Sequence, residues 1–447
     1  MRLRSQIRTF VLNGIWLIIL LIGLPWLAWR FVSKGKNRRG WSQKLFGLVP
    51  ASAKPVGSKR IWLHAVSVGE VHLLNTLVGS LLQHHGDVEL FISTTTETGY
   101  DRAVALFGDR HEVFFFPFDF SWAIRNVIRR IDPDLLVLAE LELWPNLIHI
   151  SADLELPVVV ANGRLSENSH RNYRRFEFFT RPMFQKLNRV AAQDRISADR
   201  FVELGCDPNR VIVTGNLKYD AIETDRNNAK TSACRCLARD FGIADDDRIL
   251  IAGSTQIEDE SAAVNAWEML RSEFGDLKLV IVPRHPDRFA EIESLLEKKG
   301  LVANRRSQHG SVSVDSDILV VDVIGELSGW WGLADVAFVG GSMGSRGGQN
   351  MIEPAAYGIP VCFGPNTANF QSTVDGLLAH NAAKVVEDTV QLTDFVARAL
   401  GDRVESESMG KRAQEFVQQH RGAAARTVEI LGRFLQSKSR KDLEHAA

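Results

Sequence analysis

Cysteine is scarce: four residues in 447, namely Cys206, Cys234, Cys236 and Cys362. No pair of them has a spacing suited to zinc or to a disulfide framework, and free thiols in a reducing compartment account for all four. An excess of one charge is also lacking. Lys+Arg number 53 against 54 Asp+Glu, whereas a nucleic-acid binder carries a large basic excess on its folded part. No His/Glu cluster has metal-ligand spacing, no serine sits in a nucleophile elbow, and no Gly-Lys-Ser/Thr closes a phosphate loop. The acidic runs Asp315–Asp317 and Asp245–Asp247 precede strands in polar loops, where turn and cap roles suit them. Metal-dependent hydrolysis and serine chemistry thus have little support.

One local absence is informative. Residues 1–40 contain no Asp or Glu but hold Arg2, Arg4, Arg8, Arg30, Lys34, Lys36, Arg38 and Arg39. Between these basic groups runs FVLNGIWLIILLIGLPWLAW, residues 10–29, apolar except for Asn13 and about the length of a membrane-spanning helix. It reads as a membrane anchor. A cleaved signal peptide is the rival, opposed by the bulky Trp residues at its end and the lack of a small-x-small site; a helix lying in the interface is the other alternative. Positive charge after the segment favours a cytoplasmic body.

The chain is too long for one ordinary core. Short β-branched and aromatic runs alternate with amphipathic stretches of helical length, the pattern of parallel sheets with crossover helices. RIWLHAVS, VELFIST, EVFFFP, LLVLAE, PVVVAN, RVAAQ and RVIVTGN form a first series; RILIAGST, LKLVIVP, ILVVDV, DVAFVGG and IPVCFG form a second after a polar break at 222–246. The expected division is an anchor with basic flank at 1–35, domains at 36–222 and 223–425, and a C-terminal helix and tail at 426–447.

Residues able to do chemistry gather where strands end. In HAVSVGEV, small residues let the chain turn tightly and Glu70 enters a helix N-terminus, whose dipole favours the ionised carboxylate. Such a group can take a proton from a hydroxyl, or simply complement the dipole. AELELWPN brings Glu140 and Glu142 to the end of the fourth strand. NGRLSENSHRNYRRF mixes Arg164, Arg171, Arg174 and Arg175 with Tyr173 and Phe176, a composition suited to an anionic amphiphile or to a solvated helix face. GNLKYD offers Lys218, and VPRHPDRF offers Arg284 and His285, as partners for an anion. The glycine-rich VGGSMGSRGGQNMIEPAAYGIP predicts nucleotide binding: backbone N–H groups approach the ligand, a helix starting near Asn350 points its positive end at phosphate, and Glu353 meets ribose hydroxyls.

WLHAVSVGEV, STTTETGYDRA, ELELWPNLI, NGRLSENS, AAQD, GNLKYD, VPRHPDRF, GELSGWWGLADVAFVGGS and RGGQNMIEPAAYGIPV resemble, in this order, the motifs of 3-deoxy-D-manno-octulosonic acid (Kdo) transferases. The resemblance covers residues 40–425. It implies an α/β GT-B glycosyltransferase with two Rossmann-like domains facing a cleft, behind an N-terminal anchor helix, on the cytoplasmic face of the bacterial inner membrane. It also implies transfer of Kdo from CMP-Kdo to the lipid A precursor lipid IVA, with inversion and without a metal or other cofactor. By position, Glu70 matches the general base, while Glu140 and Lys218 match residues that stabilise the transition state. Pro283, Arg284, Ile324, Gly325, Glu326, Asn350, Met351, Ile352 and Glu353 match the CMP-binding segments. The first domain would take the acceptor and the second the donor.

Three positions depart from the pattern. Gln256 and Gln349 stand where histidine is common, and Leu141 replaces a threonine. Glutamine hydrogen-bonds but carries no charge. Two alternatives arise: a relative using another nucleotide-activated acid sugar or another lipid, and a membrane-bound scaffold without activity. Retention of Glu70, Lys218 and Arg284 argues against the scaffold.

Overall fold

Ile61, Trp62 and Leu63 are consecutive and fully buried, yet Trp62 belongs to one core and its two neighbours to another. Successive strand side chains point to opposite faces, so a run apolar at every position needs cover on both. The computed structural model describes residues 2–33, 39–51, 53–310 and 315–436 and supplies that cover. Two compact units result: Met1–Ala221 with Arg421–Ala447, and Ile222–His420.

The first unit contains β1 (Lys59–His64), β2 (Val88–Thr94), β3 (Glu112–Phe115), β4 (Leu135–Ala139), β5 (Val158–Gly163), β6 (Arg189–Ala192) and β7 (Val211–Val213). They form one parallel sheet in the order β3-β2-β1-β4-β5-β6-β7. The order reverses between β1 and β4, which pair directly through Ile61–His64 and Leu135–Leu138. Such a reversal opens a crevice at the carboxyl ends of the strands, where open α/β sheets bind ligands.

The second unit repeats the design with β8 (Arg248–Thr255), β9 (Leu277–Pro283), β10 (Asn304–Arg305), β11 (Ile318–Val320), β12 (Val336–Val339), β13 (Val361–Phe363) and β14 (Ala383–Val385), in the order β10-β11-β9-β8-β12-β13-β14. Its reversal lies between β8 and β12. All seven runs of the first series and all five of the second are strands. The two that the sequence does not announce, β10 and β14, are the edge strands. They have two and three residues and no apolar run, too little pattern to read from the sequence.

After His420 the chain re-enters the first unit. The Asp220 carboxylate accepts the N–H groups of Gly422 (2.5 Å) and Ala424 (2.6 Å) at the start of the helix Ala423–Gln436. Val428 and Leu431 of that helix share a core with Leu74 and Leu77 of the helix Val68–His84.

The first helix runs from Arg2 to Ser33. Asn13, the polar interruption in its apolar run, accepts the Ser121 N–H (3.0 Å) and donates to the Ser121 hydroxyl (2.8 Å). Trp16 Nε1 donates to the buried Asp119 carboxylate (3.1 Å), and Arg8 pairs with Asp153 (3.4 Å). The opposite side is bare: Phe10 is 80% and Ile22 76% exposed. Among the described residues no helix is long and apolar enough to cross a membrane.

Candidate active site

Ser67 caps the helix Val68–His84 that follows β1, and Glu70 lies in its first turn. The Ser67 hydroxyl donates to Glu70 Oε1 (2.9 Å) and accepts the Glu70 N–H (3.4 Å), while Glu70 Oε2 accepts the Val66 N–H (2.8 Å). The Ser-x-x-Glu spacing of a capping box is the sequence signal for this arrangement. Each carboxylate oxygen has a second lone pair, so the cap leaves acceptor capacity for a proton. The other titratable group of the motif, His64, is sealed beneath the strand ends. It stacks on Phe116 at 3.9 Å, and burial pushes it down to about 3, so it stays neutral near pH 7.

Glu140 follows β4 directly, across the reversal from Glu70. Its φ is 55°, a left-handed conformation that costs a residue with a Cβ roughly 1–3 kcal/mol and that persists where function or packing demands it. Glu142, two residues on, accepts from Trp144 Nε1 (3.2 Å). The three carboxylates feel one another. Burial and then the Glu70 charge push Glu142 up to about 7. Burial, followed by the smaller effect of the Glu140 charge, also raises Glu70, against the pull of its cap bonds. The helix dipole alone dictates the opposite direction; loss of water around the carboxylate outweighs it.

Lys218 reaches the same cluster from beyond β7. Asn162 at the end of β5 has a left-handed φ of 56° and accepts the Leu217 N–H (2.9 Å), which seats the short helix Leu217–Asp220. Burial lowers the Lys218 ammonium, Glu140 raises it, and Arg164 lowers it further. Tyr173, in the helix Glu167–Arg175, feels the Glu142 charge. Glu70, Glu140 and Lys218 are thus brought together with Glu142, Arg164 and Tyr173. In the sequence Glu142 is indistinguishable from surface charge or a cap, since nothing local foretells its burial.

In the second unit, Pro283 ends β9 and Arg284 is exposed just after it, with its N–H on the Thr255 carbonyl (3.2 Å). Glu353, raised by burial, is pulled back by Asn350, Lys230 and Arg284. Asn350 Nδ2 donates to Glu353 Oε1 (2.9 Å), while the side chains of Met351 and Ile352 are buried, leaving only their backbone for a ligand. Glu326 is held by both Arg306 Nε (3.0 Å) and Nη2 (2.9 Å), beside Gly325 at φ 96° and the exposed Ile324. The helix expected near Asn350 begins at Ile352 and ends at Ala356, five residues in all. So short a helix aligns too few peptide dipoles to supply the anion site expected of it.

The two-unit fold is also that of a glycosyltransferase from Rickettsia africae (TM-score 0.58, 14% identity, 85% of this chain and 100% of that one). It is shared with a UDP-GlcNAc 2-epimerase from Neisseria meningitidis (TM-score 0.61, 14% identity, 84% and 100%). Residues 37–221 match the family described as 3-deoxy-D-manno-octulosonic-acid transferase (kdotransferase). A 3-deoxy-D-manno-octulosonic acid transferase from Haemophilus influenzae is 34% identical over 377 residues, spanning 84% of this chain and 87% of that protein. One from Bordetella pertussis is 31% identical over 426 residues, 92% and 97% of the two chains. With its GT-B-like fold, the protein is a glycosyltransferase. It belongs to the 3-deoxy-D-manno-octulosonic-acid transferase family.

Proposed function

We propose that this chain moves Kdo from CMP-Kdo to a lipid A precursor, lipid IVA, in lipopolysaccharide synthesis, with inversion at the anomeric carbon and without a metal. One arrangement within the first unit carries the reading: the acid cluster adjoins two surfaces suited to a phosphorylated lipid. On one side Trp144, bonded to Glu142, lies against Trp16 of the apolar first helix with ring centroids 5.7 Å apart. On another, Tyr173 leads to Phe176, between two helices, and to the helix Glu177–Phe184; Phe176, Phe178 and Phe179 are 58%, 86% and 67% exposed, close in sequence to Arg174, Arg175 and Arg181. Bare aromatics among arginines suit acyl chains with anionic head groups.

In this reaction Glu70 takes the proton of the acceptor hydroxyl while that oxygen bonds to the anomeric carbon of Kdo. The anomeric carbon–oxygen bond to CMP breaks, and its electron pair departs on a phosphate oxygen. In the second unit Arg284 supplies positive charge for the departing phosphate, the service a metal would otherwise perform, and in the first unit Lys218 serves the transition state beside Glu140.

The test is mass spectrometry of lipid IVA incubated with the purified chain and CMP-Kdo. A Kdo-bearing product is expected. No product from CMP-Kdo, with product from another nucleotide-linked acid sugar, would favour the second reading, which rests on the uncharged Gln256 and Gln349.

The first helix holds the protein to the bilayer by lying along it. Arg8, Asn13 and Trp16 bind it to Asp153, Ser121 and Asp119. A helix bound along one side to the body through Arg8, Asn13 and Trp16 is suited to the interface, with Phe10 and Ile22 turned to lipid. Deleting residues 1–35 should release the chain from vesicles containing anionic lipid. A full-length chain that stays in solution beside such vesicles would sink the assignment.

A further inference from the structure

The second unit holds a carboxylate where folds of this topology hold a ligand. Asp259, in the first turn of the helix Ile257–Leu270 after β8, has no exposed surface. Its Oδ2 accepts the N–H groups of Gln256 (2.8 Å) and Gly341 (2.7 Å), and its Oδ1 those of Met343 (3.0 Å) and Ser342 (3.3 Å). Capping its own helix requires only the Gln256 bond. The other three come from the loop after β12, on the far side of the strand-order reversal.

Three successive N–H groups converging on one point make an anion nest, which in dinucleotide-binding sheets receives phosphate. Here the chain occupies the nest itself. Glycine makes the approach feasible: Gly341 has φ 66°, and a Cβ on Gly340 would come within 2.6 Å of Thr255 Cα. The loop, once fixed, anchors the segments downstream of it. Gly341 O accepts the Gly348 N–H (2.7 Å), two residues before Asn350, and the Ser342 hydroxyl accepts the Gly364 N–H (2.8 Å) at the exit of β13. At the N-cap of the same helix, the side-chain Nε2 of Gln256 is buried without a hydrogen-bond partner.

We infer that Asp259 is the positioning residue of the donor half, its carboxylate filling the nest of Gly341, Ser342 and Met343 so that the loop leading to Asn350–Glu353 is shaped before donor arrives. The inference rests on the proposed use of this unit for CMP-Kdo. It deepens that use: with the nest taken, the donor phosphate is left to cationic side chains such as Arg284 and Lys230, whose charges meet at Glu353. This revises the expectation that the glycine-rich backbone itself cradles the phosphate.

The test has a wild-type arm and a variant arm. In hydrogen exchange on the full chain, the amides of Gly341–Met343 should be protected equally without ligand and with CMP. Protection that appears only with CMP would mean the nest is open to phosphate and would overturn the inference. In steady-state kinetics, Asp259→Asn should raise the KM for CMP-Kdo by about tenfold or more, since charge-assisted bonds to the loop are lost, with the acceptor KM unchanged. Asp259→Glu should recover part of that loss. A donor KM equal to wild type, with kcat reduced only in proportion to the folded fraction, would reduce Asp259 to a helix cap. A wild-type chain that neither binds CMP nor transfers Kdo would refute the substrate assignment, while exchange in the free chain would still decide the loop.

Discussion

Glu70→Gln should lower kcat for Kdo transfer by about 10²–10⁴-fold, the range general-base catalysis contributes, with little change in either KM. The amide keeps an oxygen for the Val66 N–H and a neighbour for the Ser67 hydroxyl, so the capping box survives in altered form and the melting temperature should hold. What disappears is the capacity to take a proton. Turnover equal to wild type in a folded Glu70→Gln chain would leave Glu70 a helix cap and nothing more.

The same assignment makes a statement about pH. A base works only when ionised, so kcat/KM should fall as pH falls through the folded-state pKa of Glu70. That pKa lies above the ordinary 4.5, burial being the larger cause and the Glu140 charge a lesser one. Removing that charge with Glu140→Gln eases ionisation of Glu70 and should move the acid limb of the profile to lower pH. Movement to higher pH would mean that Glu140 acts on Glu70 by something other than like-charge repulsion.

The largest loss of stability is expected from Arg288→Met. Glu260 has no exposed surface, and its carboxylate is held by the Thr255 hydroxyl (3.1 Å) and by Arg288, which also binds Glu291. Taking the guanidinium away strands a buried charge, which costs about 3–5 kcal/mol. For a unit of this size that corresponds to a fall in melting temperature of roughly 6–20 °C. The double variant Arg288→Met with Glu260→Gln should recover much of it, because the neutral amide needs no counter-charge. Equal melting temperatures for the single and double variants would show that packing, rather than the stranded carboxylate, sets the cost.

The resemblance and the local pattern converge on the strands. The apolar runs of the central strands are buried on both faces, whereas the edge strand β7 is apolar yet leaves Val213 43% exposed. Strand-end positions are legible for a related reason: Glu70, Glu140, Lys218 and Arg284 are charged residues that come just after apolar runs, where the chain leaves the sheet. The short strands β10 and β14 carry no such pattern, whereas Gly358 and Pro360 just beyond Ala356 do mark the stop of the helix Ile352–Ala356.

Composition, periodicity and motif order by themselves determined the α/β class, twelve of the fourteen strands and the family, because these depend on neighbours along the chain. Tertiary structure alone decided which strand ends lie side by side, that Glu142 and Glu70 share one electrostatic environment, that Asn13 and Trp16 bind the body rather than lipid, and that Asp259 occupies the nest of a loop more than eighty residues away. Each of these turns on a contact between distant segments, and the energies involved, desolvation of a carboxylate and bonds from N–H groups brought together by the sheet, do not exist until the sheet has formed.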